Sequence, residues 1–155
     1  MKRMSKLLCL PLIIQTAYAQ TSMNNELAAL RNSLRENAVS SVLVLRMSDD
    51  VMTRMNVTPQ ALRQLVPPKQ RHTIQMSPSG STLLMQWIKE ARLARSKQPP
   101  DCRWGLLFLD RDGKEVASIF SDKFGKVGNV DGHNVEFSGP PLLDTIHAFV
   151  GPLVP

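Results

Sequence analysis

The residues whose types and spacing could do chemistry are Asp110-Arg111-Asp112-Gly113, a cluster of Asp131, His133 and Glu136, three methionines, one cysteine and one loop serine. The first resembles half of a calcium-binding loop. With Gly113 at the sixth loop position, Phe108 takes the first and Ile119 the twelfth, and neither supplies the oxygen ligand needed there. A β-turn that uses Asp-Gly for its tolerance of positive φ explains the same residues. Asp131, His133 and Glu136, with Asp122 one turn away, have the donors of a metal site or an acid/base pair. Asp131-Gly132 is equally a hairpin turn, and His133 and Glu136, three apart on a strand, fall on opposite faces. Met47, Met52 and Met55 are thioethers of the kind exported copper proteins use, but no His or Cys stands beside them. Filling the core or contacting another molecule is the simpler role. Cys102 has His72, His133 and His147 as conceivable bases, yet no cysteine-enzyme signature surrounds it. Ser79 lacks the glycine two residues earlier that a nucleophile elbow requires. We therefore assign no catalytic, cofactor-binding or metal-ligating residue and expect no cofactor.

Most of these residues lie in Arg103–Ser138, which reads as a meander of four short strands. The apolar runs are Arg103–Asp110, Lys114–Ser121, Lys126–Val130 and His133–Ser138, divided by turn signals at Arg111-Asp112-Gly113, Asp122–Gly125 and Asp131-Gly132. In the first run Trp104, Leu106 and Phe108 share one face and Leu107 and Leu109 the other, which predicts a central strand. In the second, Val116 and Phe120 oppose Ala117 and Ile119. In the fourth, His133, Val135 and Phe137 alternate cleanly with Asn134, Glu136 and Ser138, as on a half-exposed strand nearer an edge.

Upstream, Leu27, Leu30 and Leu34 recur at helical spacing, with Asn25 placed to cap the start. Val39–Met47 is a strand whose continuous run Val42–Leu45 predicts burial on both faces. Thr58-Pro59 opens a helix over Gln60–Val66, with Leu62, Leu65 and Val66 expected inward and Pro67-Pro68 as its stop. His72–Met76 reads as a short strand. Residues 77–81 read as a loop leading into a helix over Thr82–Ala94, with Leu83, Leu84, Trp87, Ile88 and Ala91 as its apolar stripe and Lys89, Arg92 and Arg95 marking its basic face and last turn. A final helix follows Gly139-Pro140-Pro141, with Leu142, Leu143, Ile146, Phe149 and Val150 inward and Gly151-Pro152 as its end.

The N-terminus sets the expected compartment. Lys2, Arg3 and Lys6, the apolar run Leu7–Ile14 and the Ala17-Tyr18-Ala19 site together read as a secretory signal peptide cut after Ala19. The run is too short to span a bilayer, and no later stretch is apolar enough to do so. Cys9 does not suit lipidation, because Leu8 stands where a small residue is needed. The remaining 20–155 suits a single domain. The chain has 19 Lys+Arg and 13 Asp+Glu, and three of the bases leave with the signal, so the mature charge is a mild +3. That charge does not argue for nucleic acid. Cys102 is then the one cysteine left, so no internal disulfide forms; beside Trp104 we expect it buried rather than paired with another molecule.

These elements predict an α+β fold: a mostly antiparallel sheet ending in the four-strand meander, with helices packed mainly on one face. An alternative comes from the order strand, helix, strand, helix, hairpin, helix. There Leu106–Val116 resembles the central hairpin of a thioredoxin-like domain. The resemblance covers about half the mature chain and implies a degenerate member, because no Cys-x-x-Cys follows Leu45 and no proline stands just before Trp104. The function expected is an exported, periplasmic protein-binding module of the type that inhibits a hydrolase or neutralises a delivered toxin. The charged turn residues Arg111, Asp112, Lys114, Asp122, Lys123, Lys126, Asp131 and His133 would form its recognition rim. The alternative is a small redox or metal accessory factor using Cys102 or the Met and His residues.

Overall fold

Turn chemistry fixes the meander. The computed structural model describes residues 27–150. Its elements are α1 (Ala28–Arg35), β1 (Ser41–Arg46), α2 (Pro59–Leu65), β2 (His72–Gln75), α3 (Pro78–Glu90), β3 (Arg92–Arg95), β4 (Trp104–Leu109), β5 (Glu115–Ser121), β6 (Val127–Val130), β7 (His133–Ser138) and α4 (Leu142–Val150). The signal peptide, the Asn25 cap and the Gly151-Pro152 stop lie outside the described residues. At each meander turn an aspartate binds the backbone and a glycine takes positive φ. Asp110 Oδ1 accepts from the N–H groups of Asp112 and Lys114, and Gly113 has φ +77°. Asp122 Oδ1 accepts from Phe124, Lys126 and Val127, and Gly125 has φ +66°.

The seven strands pair in the order β2-β1-β4-β5-β6-β7-β3, every pair antiparallel. This is the α+β architecture the sequence predicts, and it replaces the thioredoxin-like alternative. That alternative makes the first strand–helix–strand a parallel crossover, whereas β1 and β2 are antiparallel neighbours.

Both sheet faces are covered, as the two-sided patterns of β1 and β4 demand. On one face Leu30 and Leu34 of α1, Leu84, Trp87 and Ile88 of α3, and Leu142 and Ile146 of α4 pack on Val42, Val44, Trp104, Leu106, Phe108 and Ile119. On the other, Leu62 and Val66 pack with Leu45, Met47, Val57, Cys102, Leu107 and Phe120. Each large apolar side chain so buried contributes about 1.5–3 kcal/mol. Arg63 clamps α2 to the sheet: its guanidinium donates to both Glu115 oxygens at 2.6 and 2.8 Å and lies over the Phe120 ring.

Four local expectations change. Arg92 and Arg95 do not end α3; they bound β3, which pairs with β7 at the sheet edge, where charged side chains block further pairing. Residues 77–81 are not a loop, because Ser77 caps α3 through the Gly80 N–H and Pro78 occupies its first turn. Leu65 is exposed, since the short helix α2 turns Ala61 and Leu62 inward and Val66 just after it completes that face. Val116 packs with Ala117 and Ile119 rather than with Phe120: the β4–β5 register shifts after Phe108, and Val116 is the extra residue of a bulge.

Candidate functional site

In an antiparallel meander alternate turns lie at opposite ends of the sheet, and this divides the charged turn residues. Arg111, Asp112 and Lys114 lie at the end shared with Asp131 and His133. Asp122, Lys123 and Lys126 lie at the other end, where β4 begins and β1 finishes. The structure therefore does not gather the eight residues into one rim.

Several of the acids are occupied by their own backbone. Asp131, at φ +46°, accepts the Ser118 N–H at 2.7 Å. Burial raises its carboxyl pKa against the lowering effect of the Ser118 hydrogen bonds. Asp122 and Asp110 build their turns as described above. Glu136 faces away from the Val135 side chain in the middle of β7, and Asp122 is at the opposite end from Asp131, so this cluster does not converge. Among the described residues no three His, Cys, Asp or Glu side chains are grouped to hold a metal ion.

Cys102 is fully buried. Burial, then the nearby Asp101 and Asp122 carboxylates, push its thiol up to about 12. His147 packs edge-on against Trp104, on the opposite sheet face from Cys102. His133 is at the far end, and His72 is on the β2 edge. No imidazole is brought to this thiol, and its thiolate is strongly disfavoured, which leaves it without the features of a nucleophile.

The three methionines separate as well. Met47 is buried beside Leu45 and Val57. Met52 is 96% exposed and Met55 83%, in the segment joining β1 to α2. Among the described residues the exposed large hydrophobics are Val51, Met52, Met55, Leu65, Leu83 and Phe124. Four of these, Val51, Met52, Met55 and Phe124, lie at the end of the sheet where β1 finishes and β5 turns into β6.

The loop carrying the methionines is held at its root. Arg103, only 8% exposed, donates from Nε and Nη2 to Asp101 Oδ2 at 3.1 and 2.9 Å, and from Nη1 to the Val51 carbonyl at 2.8 Å. The other oxygen of Asp101 accepts the Val57 N–H at 2.8 Å. Asn56 Nδ2 donates to the Pro99 carbonyl, and the Cys102 N–H donates to that of Val57. Both limbs of the loop are thus tied to residues 99–103. Between the methionines, at the bend, is exposed Arg54, which makes no hydrogen bond or ion pair among the described residues. Across the same end the exposed Phe124 ring carries the Lys123 ammonium 5.0 Å from its centroid.

Sequence reasoning missed Phe124, Val51 and the bracing role of Arg103. A signal was present for the loop: three large apolar residues between Asp49-Asp50 and Asn56, too few for a helix and without strand alternation. Nothing in the sequence marks Arg103 as buried. A concavity of about 270 Å³ lies between α3 and α4, lined by Leu83, Trp87, Pro140, Pro141, Asp144 and Thr145 among others. No family model, curated protein or solved structure matches this chain.

Proposed function

We propose that this protein is an exported, non-enzymatic binding module that recognises another protein through the end of the sheet carrying Met52, Met55 and Phe124. The observation that supports this reading is the display of Val51, Met52 and Met55 on a loop whose root is held by buried Arg103. Leaving large apolar groups in water is unfavourable, and contiguous patches of them on a stable domain mark interaction surfaces. Methionine suits such a surface because its flexible thioether adapts to the partner. The periplasm is the compartment proposed, from the signal-peptide features, and inhibition of a hydrolase or toxin is the proposed consequence of binding.

The test is retention of a partner from periplasmic extract on immobilised protein, compared with a Met52→Asp/Phe124→Asp variant. A protein retained by the parent and lost with the variant is the expected result. Retention of the same proteins by both, or of none by either, refutes the assignment of this surface.

A further inference from the structure

We infer that the Val51–Met55 loop is a wedge that enters a concave, acidic cleft on its protein partner. The inference rests on the protein-binding reading above and specifies the chemistry of what is bound. Shape comes from exposure. Met52 and Met55 touch almost nothing of their own chain. A flat partner would cover only one side of such protruding side chains, and a cleft surrounds them. Charge comes from Arg54, the one charged residue of the five at the apex, exposed at the bend and without an ion-pair or hydrogen-bond partner among the described residues. Lys126, exposed at the same end, adds to it. The acids of this end are differently placed. Asp101 is paired with Arg103, and Asp122 Oδ1 holds three backbone N–H groups. Asp49 and Asp50 are exposed at the loop root, immediately before Val51, where Asp50 bonds Ser48. The apex therefore presents a cation flanked by apolar groups, complementary to carboxylates recessed in a cleft. The hydrogen bonds that Arg103 and Asp101 make to Val51 and Val57 fix both ends of the loop, which lowers the ordering cost of insertion.

The experiment places a photo-crosslinking residue, benzoylphenylalanine, at Met52 or separately at Asp112 at the opposite end, in full-length protein in its own cells. Crosslinked peptides are mapped by mass spectrometry, and affinity is then measured on the purified pair. The expected result is a crosslink from position 52 to residues lining an acidic concavity. Arg54→Glu should then weaken the purified pair at least about tenfold, while Lys114→Glu changes it by less than about twofold. A crosslink from position 52 to a flat or basic surface, or a crosslink from position 112 alone, overturns the wedge and leaves protein binding standing. Absence of crosslinks from both positions overturns the wedge and the binding reading together. Sedimentation with phosphatidylglycerol vesicles that Met52→Asp abolishes overturns the wedge in favour of a lipid surface.

Discussion

Raising the pH interrogates Cys102 directly. Folding moves its thiol from an ordinary 9.0 to about 12, chiefly by burial. Between those limits the unfolded chain has released the proton while the folded chain keeps it. The unfolded state then binds fewer protons, so stability falls as pH rises, by about 1.4 kcal/mol for each pH unit. Over the whole window the loss is about 4 kcal/mol, a large part of the 5–15 kcal/mol roughly typical of a domain. The assay is urea unfolding at a series of pH values from neutral to strongly alkaline, on the wild type and on Cys102→Ala. The variant is expected to be less stable at neutral pH, because it leaves space in the core, but to show a flatter alkaline decline. Lysine titration is common to both proteins. The titration of the chain's one tyrosine, Tyr18, is common to both as well. In parallel, a thiol reagent at pH 8 meets a thiolate fraction of about one in ten thousand, so native labelling should be negligible and should become complete on unfolding. Equal alkaline slopes for the two proteins, or rapid labelling of the native state, would refute the reasoning and reopen a redox role for this residue.

Two further expectations concern the frame that holds the candidate surface. A Cβ on Gly128 would stand 2.0 Å from the Phe120 carbonyl oxygen and 2.5 Å from the Phe137 ring. Because the first of these atoms is backbone of the paired strand, Gly128→Ala should cost about 3 kcal/mol or more and loosen the β5–β6 pairing, read as a lower urea midpoint and faster amide exchange in β6. Glu115 is held below its usual range mainly by its hydrogen bond to Arg63. A lowered carboxyl adds stability above its unfolded value and loses it as pH falls through its folded value. With both side chains about one-third exposed, Glu115→Gln should cost under about 1 kcal/mol at neutral pH, a difference that chemical denaturation in strong acid should no longer detect.

The sheet was legible because its information is local. Asp-Gly pairs at 112–113 and 131–132 announce turns, and the two-sided apolar run of Trp104–Leu109 announces a central strand. The cap on α2 was equally legible, since Thr58 accepts the Ala61 N–H as its position before Pro59 predicts. What escaped is decided at a distance. Arg92–Arg95 fits a helical last turn by pattern, and becomes a strand because Phe137 and its neighbours in β7 offer an edge to pair with. The bulge that turns Val116 inward has no local marker. The candidate surface escaped for a related reason. Residues 51–55 obey no periodicity, and nothing in their spacing distinguishes buried Met47 from exposed Met52.

Arg103 joins the fold to that surface. A buried guanidinium loses several kcal/mol of hydration, which its pairing with carboxylate and carbonyl only offsets, and apolar replacements of such pairs are often no less stable. Core strength is therefore a poor explanation for an arginine where β4 meets the interior. What the side chain adds is direction. Its planar fork fixes the Asp101 carboxylate and the Val51 carbonyl at once, and Asp101 in turn fixes the Val57 N–H. An apolar residue of similar volume could fill the space without specifying where either limb of the loop departs. The polar network is thus placed where it positions Met52, Arg54 and Met55 relative to the sheet. The cost of burying a charge falls on the stable core, while the exposed apex itself remains free of internal contacts that a partner would have to break.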